Sequence, residues 1–518
     1  MISRKKICFR NLTPVNGFDM TNLNNARQNN YAWSMSELGD YIYVGTGRNI
    51  LVNIINSITP GAQLPALIDP GPIDNRAEIW RYKKDGSLPW QRVYKAPEGS
   101  GIIGFRFMIR HRPFRGGSSL YAATIGPSVQ VLKSTNGVNW FILPDNVLQG
   151  TSSRAMVIQK GKIYMSTIEE GGQNPPLLYR SEDPEFIPWE SVIDTTVPGF
   201  DPTRNPTNPI SNMEVFNNRI YVGVISPEGV EVWRTNGPEP RLNDWTLIAD
   251  RGFGDPDNRY TLAMGVFKNH LYVSATKELP LAWAFPRGFD LIRINKNDKW
   301  KLVVGGNPLF PVTAPSETQK SASGLGSGFN NPFNVYAWQI QEYDGKLFIS
   351  TFDDSSNMEV ILTTLLANRL ALEQLIGPVV TNILIQIYKN VVAILRAARY
   401  PIGFDLYVSG DGIHFSPVFL DGLNNPNNYG GRILYVDRRN DLYIGTANPF
   451  QGCEVWRTDD TEDYNAESCD CDTQFCNDDH YKCLWKVRKI ITDNYAIISQ
   501  HMPVIMKFLP KEHCPRFF

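Results

Sequence analysis

Histidine and cysteine are scarce in this chain of 518 residues, with six of the first and seven of the second. His111, His270, His414, His480, His501 and His513 form no H-x-x-E-H or HExxH pattern. No P-loop, nucleophile elbow or dinucleotide fingerprint appears either. Cys469, Cys471, Cys476, Cys483 and Cys514 all fall near the C-terminus, leaving only Cys8 and Cys453 for the rest, so the body does not read as a disulfide scaffold. Charge of one sign is also lacking. Fifty-one basic residues meet 52 acidic ones for a net charge of −1, which gives no overall field to recruit nucleic acid or an acidic membrane. The basic opening MISRKKICFRNL has no apolar run behind it, so a secretory signal is not expected. Cytoplasmic synthesis is the default, with later assembly onto a surface left open.

Short β-rich runs are abundant, in a composition that is 12% aromatic with 41 glycines and 36 prolines. One string recurs seven times: GDYIYVGT (Gly39–Thr46), GSSLYAAT (Gly117–Thr124), GKIYMST (Gly161–Thr167), NRIYVGV (Asn218–Val224), NHLYVSAT (Asn269–Thr276), GKLFIST (Gly345–Thr351) and NDLYIGT (Asn440–Thr446). Apolar and polar positions alternate in each, and Gly, Asn or Asp precedes it, as in a strand entered from a tight hairpin. An apolar run lies ahead of each copy; YAWSMSELGDYIYVGT aligns without a gap on YAWQIQEYDGKLFIST. A third run follows (AEIWRYKKDG, VQVLKSTNG, LLYRSED, VEVWRTNG, FDLIRINKN, FDLYVSGDG, CEVWRTDD). In most copies a fourth opens on an aromatic: Trp90, Trp140, Trp189, Trp245, Trp300 and Phe415. Four antiparallel strands repeated radially make the blades of a propeller. The expected fold is all-β: a seven-bladed β-propeller with a helical insertion in blade six and a Cys-rich C-terminal segment. Its boundaries are an N-terminal segment 1–23, a propeller 24–493 holding a helical insertion 357–402 and a Cys-rich loop 461–483, and a tail 494–518. The last outer strand is expected from Leu484–Ile491, with Trp485 in the part of Trp245; the N-terminal ICFRNL is the alternative.

The third-to-fourth strand turns Ser134-Thr-Asn136-Gly137-Val-Asn-Trp140 and Ser409-Gly-Asp411-Gly412-Ile-His-Phe415 resemble the Asp-box of sialidase-like propellers. The resemblance spans roughly 31–493 as architecture. It implies scaffold rather than catalysis, because Asp-boxes in that superfamily lie away from the active site.

Long connections belong mostly to one face of such a fold: 47–77, 277–288 and 353–403 after second strands, and 194–209 and 305–334 between blades. That face is where a binding function is expected. Two patterns enrich it. Asparagine clusters (24–25, 29–30, 330–334, 424–428) run into first strands beside Tyr31, Tyr336 and Tyr429. They read either as turn chemistry or, with Asn334, as an amide rim for a glycan. Arg106, Arg154, Arg259 and Arg432 stand near the starts of inner strands. They either pair with neighbouring acids or converge on a carboxylate or phosphate.

Residues 361–400 carry apolar positions at helical spacing, divided at Gly377-Pro378. A hairpin packed on the propeller, a homo-oligomer or partner contact, and a membrane-surface element are the three readings, the first preferred; neither half is long enough to span a bilayer. Cys469, Cys471, Cys476, His480 and Cys483 lack CxxC spacing, so disulfide or cross-linking use is preferred, inert thiols come next and a zinc site last, and no cofactor is expected. The functional expectation is a non-catalytic module that binds a glycan or protein partner on its loop-rich face. The alternative is a sialidase-like hydrolase at the channel mouth, with Tyr31, Tyr336, Glu214 and Asp353 as conceivable partners of the arginines.

Overall fold

The computed structural model describes residues 7–58, 64, 68–114, 116–170, 174–279, 282, 286–306, 320–459 and 478–505. The body is all-β and propeller-like. Its described strands pair into seven successive antiparallel sets of four. Sheet one is Asn29–Leu38, Tyr41–Arg48, Glu78–Lys83 and Gln91–Lys95. Sheet two is Gly104–His111, Ser119–Ile125, Val131–Ser134 and Phe141–Ile142. Sheet three is Ser152–Gln159, Lys162–Ile168, Leu177–Ser181 and Glu190–Ser191. Sheet four is Ile210–Phe216, Arg219–Val224, Glu231–Thr235 and Trp245–Ala249. In sheet five the first strand is split into Asn258–Tyr260 and Met264–Phe267, followed by His270–Lys277, Asp290–Asn295 and Trp300–Val304. Sheet six is Asn334–Tyr343, Lys346–Asp353, Leu406–Ser409 and Ser416–Phe419. Sheet seven is Gly430–Val436, Leu442–Ala447, Val455–Asp459 and, from the other end of the chain, Cys8–Asn11.

The recurring aromatic explains why these sheets stack. Tyr43, Tyr121, Tyr164, Tyr221, Tyr272, Phe348 and Tyr443 are each at most 1% exposed. Each lies in the apolar cluster shared with the following sheet: Tyr43 among residues of sheets one and two, and so on round to Phe348 between six and seven. Tyr443 of sheet seven packs with Ala32, Met35, Val44 and Trp80 of sheet one. At about 25 cal/mol per Å² over 150–250 Å² of ring surface, each such side chain contributes on the order of 4 kcal/mol before entropy is charged. The turns that resemble the Asp-box are held locally. Asn136 Oδ1 accepts from the amides of Val138 and Asn139, Ser134 Oγ accepts from Gly137 N, and Gly137 takes φ 73°. Ser409 and Asp411 do the same for Gly412, Ile413 and His414.

Three expectations need correction. The outer strand of sheet seven is N-terminal: Cys8–Asn11 pairs antiparallel with Trp456–Asp459, and Phe9 is buried. Leu484–Ile491 is instead helical. Leu484 and Val487 fall on one buried helix face with Ile490 beside them, while Trp485, off that face, is 64% exposed. The helical insertion begins earlier than its apolar pattern. Helices α1 (Leu23–Gln28) and α2 (Ile50–Ile58) precede it in the chain; the insertion itself is α3 (Ser355–Ala367) and α4 (Arg369–Ala397), with Gly377 non-helical inside α4. α4 is long and apolar enough to cross a membrane by length and composition. Its buried face, Leu384, Ile387, Tyr388, Val391, Val392 and Leu395, packs with Phe333, Met358 and helix α5 (Asp478–Ile505).

Of the tail residues, Cys483 is a core thiol in α5, its pKa pushed up by burial. Cys469, Cys471, Cys476 and the His480 side chain lie outside the described residues. Cys8 is disulfide-bonded.

Candidate ligand-binding site over the inner strands

The asparagine clusters resolve into a repeated scaffold device. Asn29, Asn258, Asn334 and Asn428 each donate to the carboxylate that opens a third strand: Glu78 at 3.0 Å, Asp290 at 2.9 Å, Asp405 at 2.7 Å and Glu454 at 2.8 Å. Each also donates to a glycine carbonyl in the preceding turn, from Gly17, Gly252, Gly328 and Gly422. Asn334 is fully buried, so its amide is spent inside the protein rather than offered at a rim. The signal was present as three matching heptapeptides, GFGDPDN (252–258), GFNNPFN (328–334) and GLNNPNN (422–428).

Beside this device the sheets differ. Arg48 stands opposite Asn29 and Lys277 opposite Asn258, each a buried cation facing the carboxylate, Lys277 at 2.8 Å from Asp290. Opposite Asn334 stands Asp353. Sheet six thus buries two carboxyls together, bridged by Asn331 Nδ2, which reaches Asp353 at 3.2 Å and Asp405 at 3.4 Å. Tyr400 donates to Asp353 at 2.8 Å and Tyr407 to Asp405 at 3.2 Å. Burial pushes Asp353 up to about 6 and Asp405 well above the usual carboxylate range, and the neighbouring Asp353 raises Asp405 further.

Three of the predicted arginines, Arg106, Arg154 and Arg432, stand where first strands slip register. In six sheets the inner strand slips by one residue against the second strand, opposite the position two residues after the recurring aromatic. The slipped residues are Trp33, Arg106, Arg154, Trp338 and Arg432; in sheet four it is Ser211. A bulge of this kind re-aims a side chain out of the ladder. Trp338 fits because residue 430 is glycine: a Cβ there would come within 1.9 Å of the ring. Neither the slip nor its regularity is visible in the alternation of the sequence.

Three connections close over these residues: α2 from sheet one, the segment after Lys277 in sheet five, and α3 from sheet six. Together with the inner strands they line a partly open cavity of about 210 Å³. Ile50, Ile54, Leu262, Leu279, Val360 and Ile361 form its aliphatic walls, and Tyr31, Trp33, Tyr336, Trp338, Phe352 and Tyr429 its aromatic ones. Tyr336 stacks on Phe352 at 4.7 Å. The hydroxyls of Tyr31 and Tyr429 bond to each other, and burial pushes Tyr31 up to about 12. Of the two polar side chains supplied by α3 and the residue before it, Asp354 accepts from Asn357 at 2.8 Å, and burial holds its carboxyl well above the usual range.

The four predicted arginines divide. Arg106 and Arg154 share Glu170 at 2.9 and 3.3 Å. Arg259 lies off the cavity, 3.9 Å from Glu278. Arg432 has no hydrogen bond or ion pair among the described residues, although it is only 6% exposed. It lies over Trp338 at 5.3 Å and Trp33 at 6.0 Å, and Arg106 over Trp33 at 5.2 Å. Desolvation, then the neighbouring Arg106, lowers Arg432 to about 9. Of the conceivable catalytic partners, Glu214 is surrounded by protein on an inner strand and raised to about 7 by burial, and Asp353 is enclosed in sheet six. Tyr31 bonds Tyr429 rather than an acid.

No family model matches this chain, and no curated protein matches it. Among solved structures it is similar to the extracellular domain of a hybrid two-component system from B. thetaiotaomicron, at 12% identity over 87% of this chain and 39% of that one, TM-score 0.47. It is also similar to a computationally designed protein, Ika8, at 7% identity over 86% of this chain and 99% of that one, TM-score 0.39. A third is a subtype N10 neuraminidase-like protein of A/little yellow-shouldered bat/Guatemala/060/2010, at 12% identity over 66% and 92% of the two chains, TM-score 0.34.

Proposed function

We propose that the seven sheets are the blades of one closed propeller and that the protein is a non-catalytic binding module, taking its ligand or partner at the loop-bearing end of the ring. The observation that carries this reading is the cavity itself. Connections from three separate sheets converge on it, and it has an apolar body with few polar groups, the composition of a binding pocket. Pairing of Cys8–Asn11 with the third strand of sheet seven, and packing of that sheet on sheet one, support closure. Carbohydrate remains within reach of the aromatic wall; the asparagines do not contribute to it.

The hydrolase alternative needs a tyrosine activated by an acid and arginines free for a sugar carboxylate. Tyr31 is engaged with Tyr429, and Arg106 and Arg154 are engaged with Glu170. The test uses the wild-type protein and Ile54→Trp, which fills the cavity, on a glycan array and on 4-methylumbelliferyl glycosides. Binding that Ile54→Trp abolishes, without turnover, is expected. Turnover lost in Tyr31→Phe would overturn the reading in favour of the hydrolase.

A further inference from the structure

We propose that the cavity is a site for an organic monoanion with an apolar, flat or aliphatic body, such as an aromatic carboxylate, whose charged group is received by Arg432. The proposal rests on the binding-module reading and names the chemistry of its ligand.

Arg432 carries the argument. A guanidinium offers five N–H donors and stays charged under nearly all conditions, so a buried one is almost always forked onto an acid or several carbonyls. Here it has neither among the described residues, and its Nε is both buried and unpartnered. The faces of Trp33 and Trp338 stabilise its charge but accept no hydrogen bond in the plane of the fork. Its free edge therefore calls for an acceptor that the described protein does not supply, and Arg432 lines the cavity.

The charge balance points the same way. Arg106, Arg154 and Arg432 influence one another electrostatically, and Glu170 is the carboxylate paired with the first two. Three guanidiniums against one carboxylate leave a surplus of two, which one added negative charge at Arg432 would halve. The carboxyl on the cavity wall, Asp354, has its pKa raised by burial, which weakens its opposition to an anion. A doubly charged phosphate is disfavoured, because the rest of the wall is aliphatic and aromatic and would leave its other oxygens unbonded. A carboxylate on a hydrocarbon body satisfies both parts: two parallel hydrogen bonds to one guanidinium, and burial of the rest against Trp33, Trp338, Tyr336, Ile54, Leu279 and Ile361.

The test is calorimetric titration of the full chain with 2-naphthoate and its neutral isostere 2-naphthamide, on wild type and on Arg432→Gln. We expect naphthoate to bind wild type at least about tenfold more tightly than the amide, the increment of one charge-assisted pair. Arg432→Gln should erase that difference while leaving amide binding within about threefold of wild type. The acid-to-amide ratio on wild type needs no variant, so a misfolded Arg432→Gln would not rescue the idea. Equal affinity for acid and amide would overturn the anion assignment and leave the binding module standing. Binding of neither compound would overturn the ligand class, and the glycan array would then decide the broader reading by itself.

Discussion

A single side-chain difference sets sheet six apart. Where sheets one and five bury Arg48 and Lys277 against an acid, sheet six buries Asp353 against Asp405, so a proton must do the work of the missing cation. Tyr400, Tyr407, Asn331 and Asn334 surround the pair, and Asp354 lies next in the chain. Asp353 has its folded value raised to about 6 from 3.8. Stability from its proton is fully present below its unfolded value and is lost as pH rises through about 6. At about 1.36 kcal/mol per pKa unit, the loss between pH 4 and pH 8 is roughly 2–3 kcal/mol. Asp353→Asn keeps the shape and removes the titration; Asn448, bonded to Asn428 in sheet seven, shows that an amide fits beside the same device. Urea unfolding at the two pH values should show a smaller loss in the variant by about that amount. Glu214, raised to about 7, shifts both proteins in the same direction. An equal loss in wild type and variant would contradict the account of the pair.

At the scale of elements, the strands were legible because period-two alternation and Gly, Asn or Asp turns are local properties. All seven copies of the recurring string are second strands. The site was less legible. Trp33, Trp338 and Arg432 meet only because their strands slip register at one level, and a slip depends on what the facing strand can accommodate, as Gly430 does for Trp338. Asparagine was ambiguous for a similar reason: its role depends on the acids of third strands far along the chain. Leu484–Ile491 misled because its Leu-Trp opening resembles a strand while its 484/487 spacing is helical. The insertion, in turn, leaves apolar surface uncovered at its turn and kink. Leu370 is 76% exposed, Val379 70% and Leu375 50%. These residues support little of the fold, so Leu370→Glu with Val379→Glu should change stability by less than about 0.5 kcal/mol per site. With the insertion acting as a self-contact, wild type should sediment as an oligomer and the double variant as a monomer. Sedimentation as a monomer in both would remove that role.

At the scale of the molecule, the proposed function follows from where the stacked sheets send their connections. Second-to-third strand segments of sheets one, five and six, distant in sequence, roof one cavity because stacking brings their ends together. The repeated aromatic couples each sheet to the next, and Tyr443 returns the last to the first. A rigid frame of this kind can hold Arg432 without a hydrogen-bond partner among the described residues, and on the proposed reading its open fork gives the site its selectivity. The direct measurement is the anomalous bromine signal from crystals soaked with 6-bromo-2-naphthoate. The account predicts one bromine peak among Trp33, Trp338 and Ile54, with the carboxylate oxygens within hydrogen-bond distance of Arg432 Nη1 and Nη2. An empty cavity at saturating compound, or a molecule seated with its carboxylate turned away from Arg432, would contradict it.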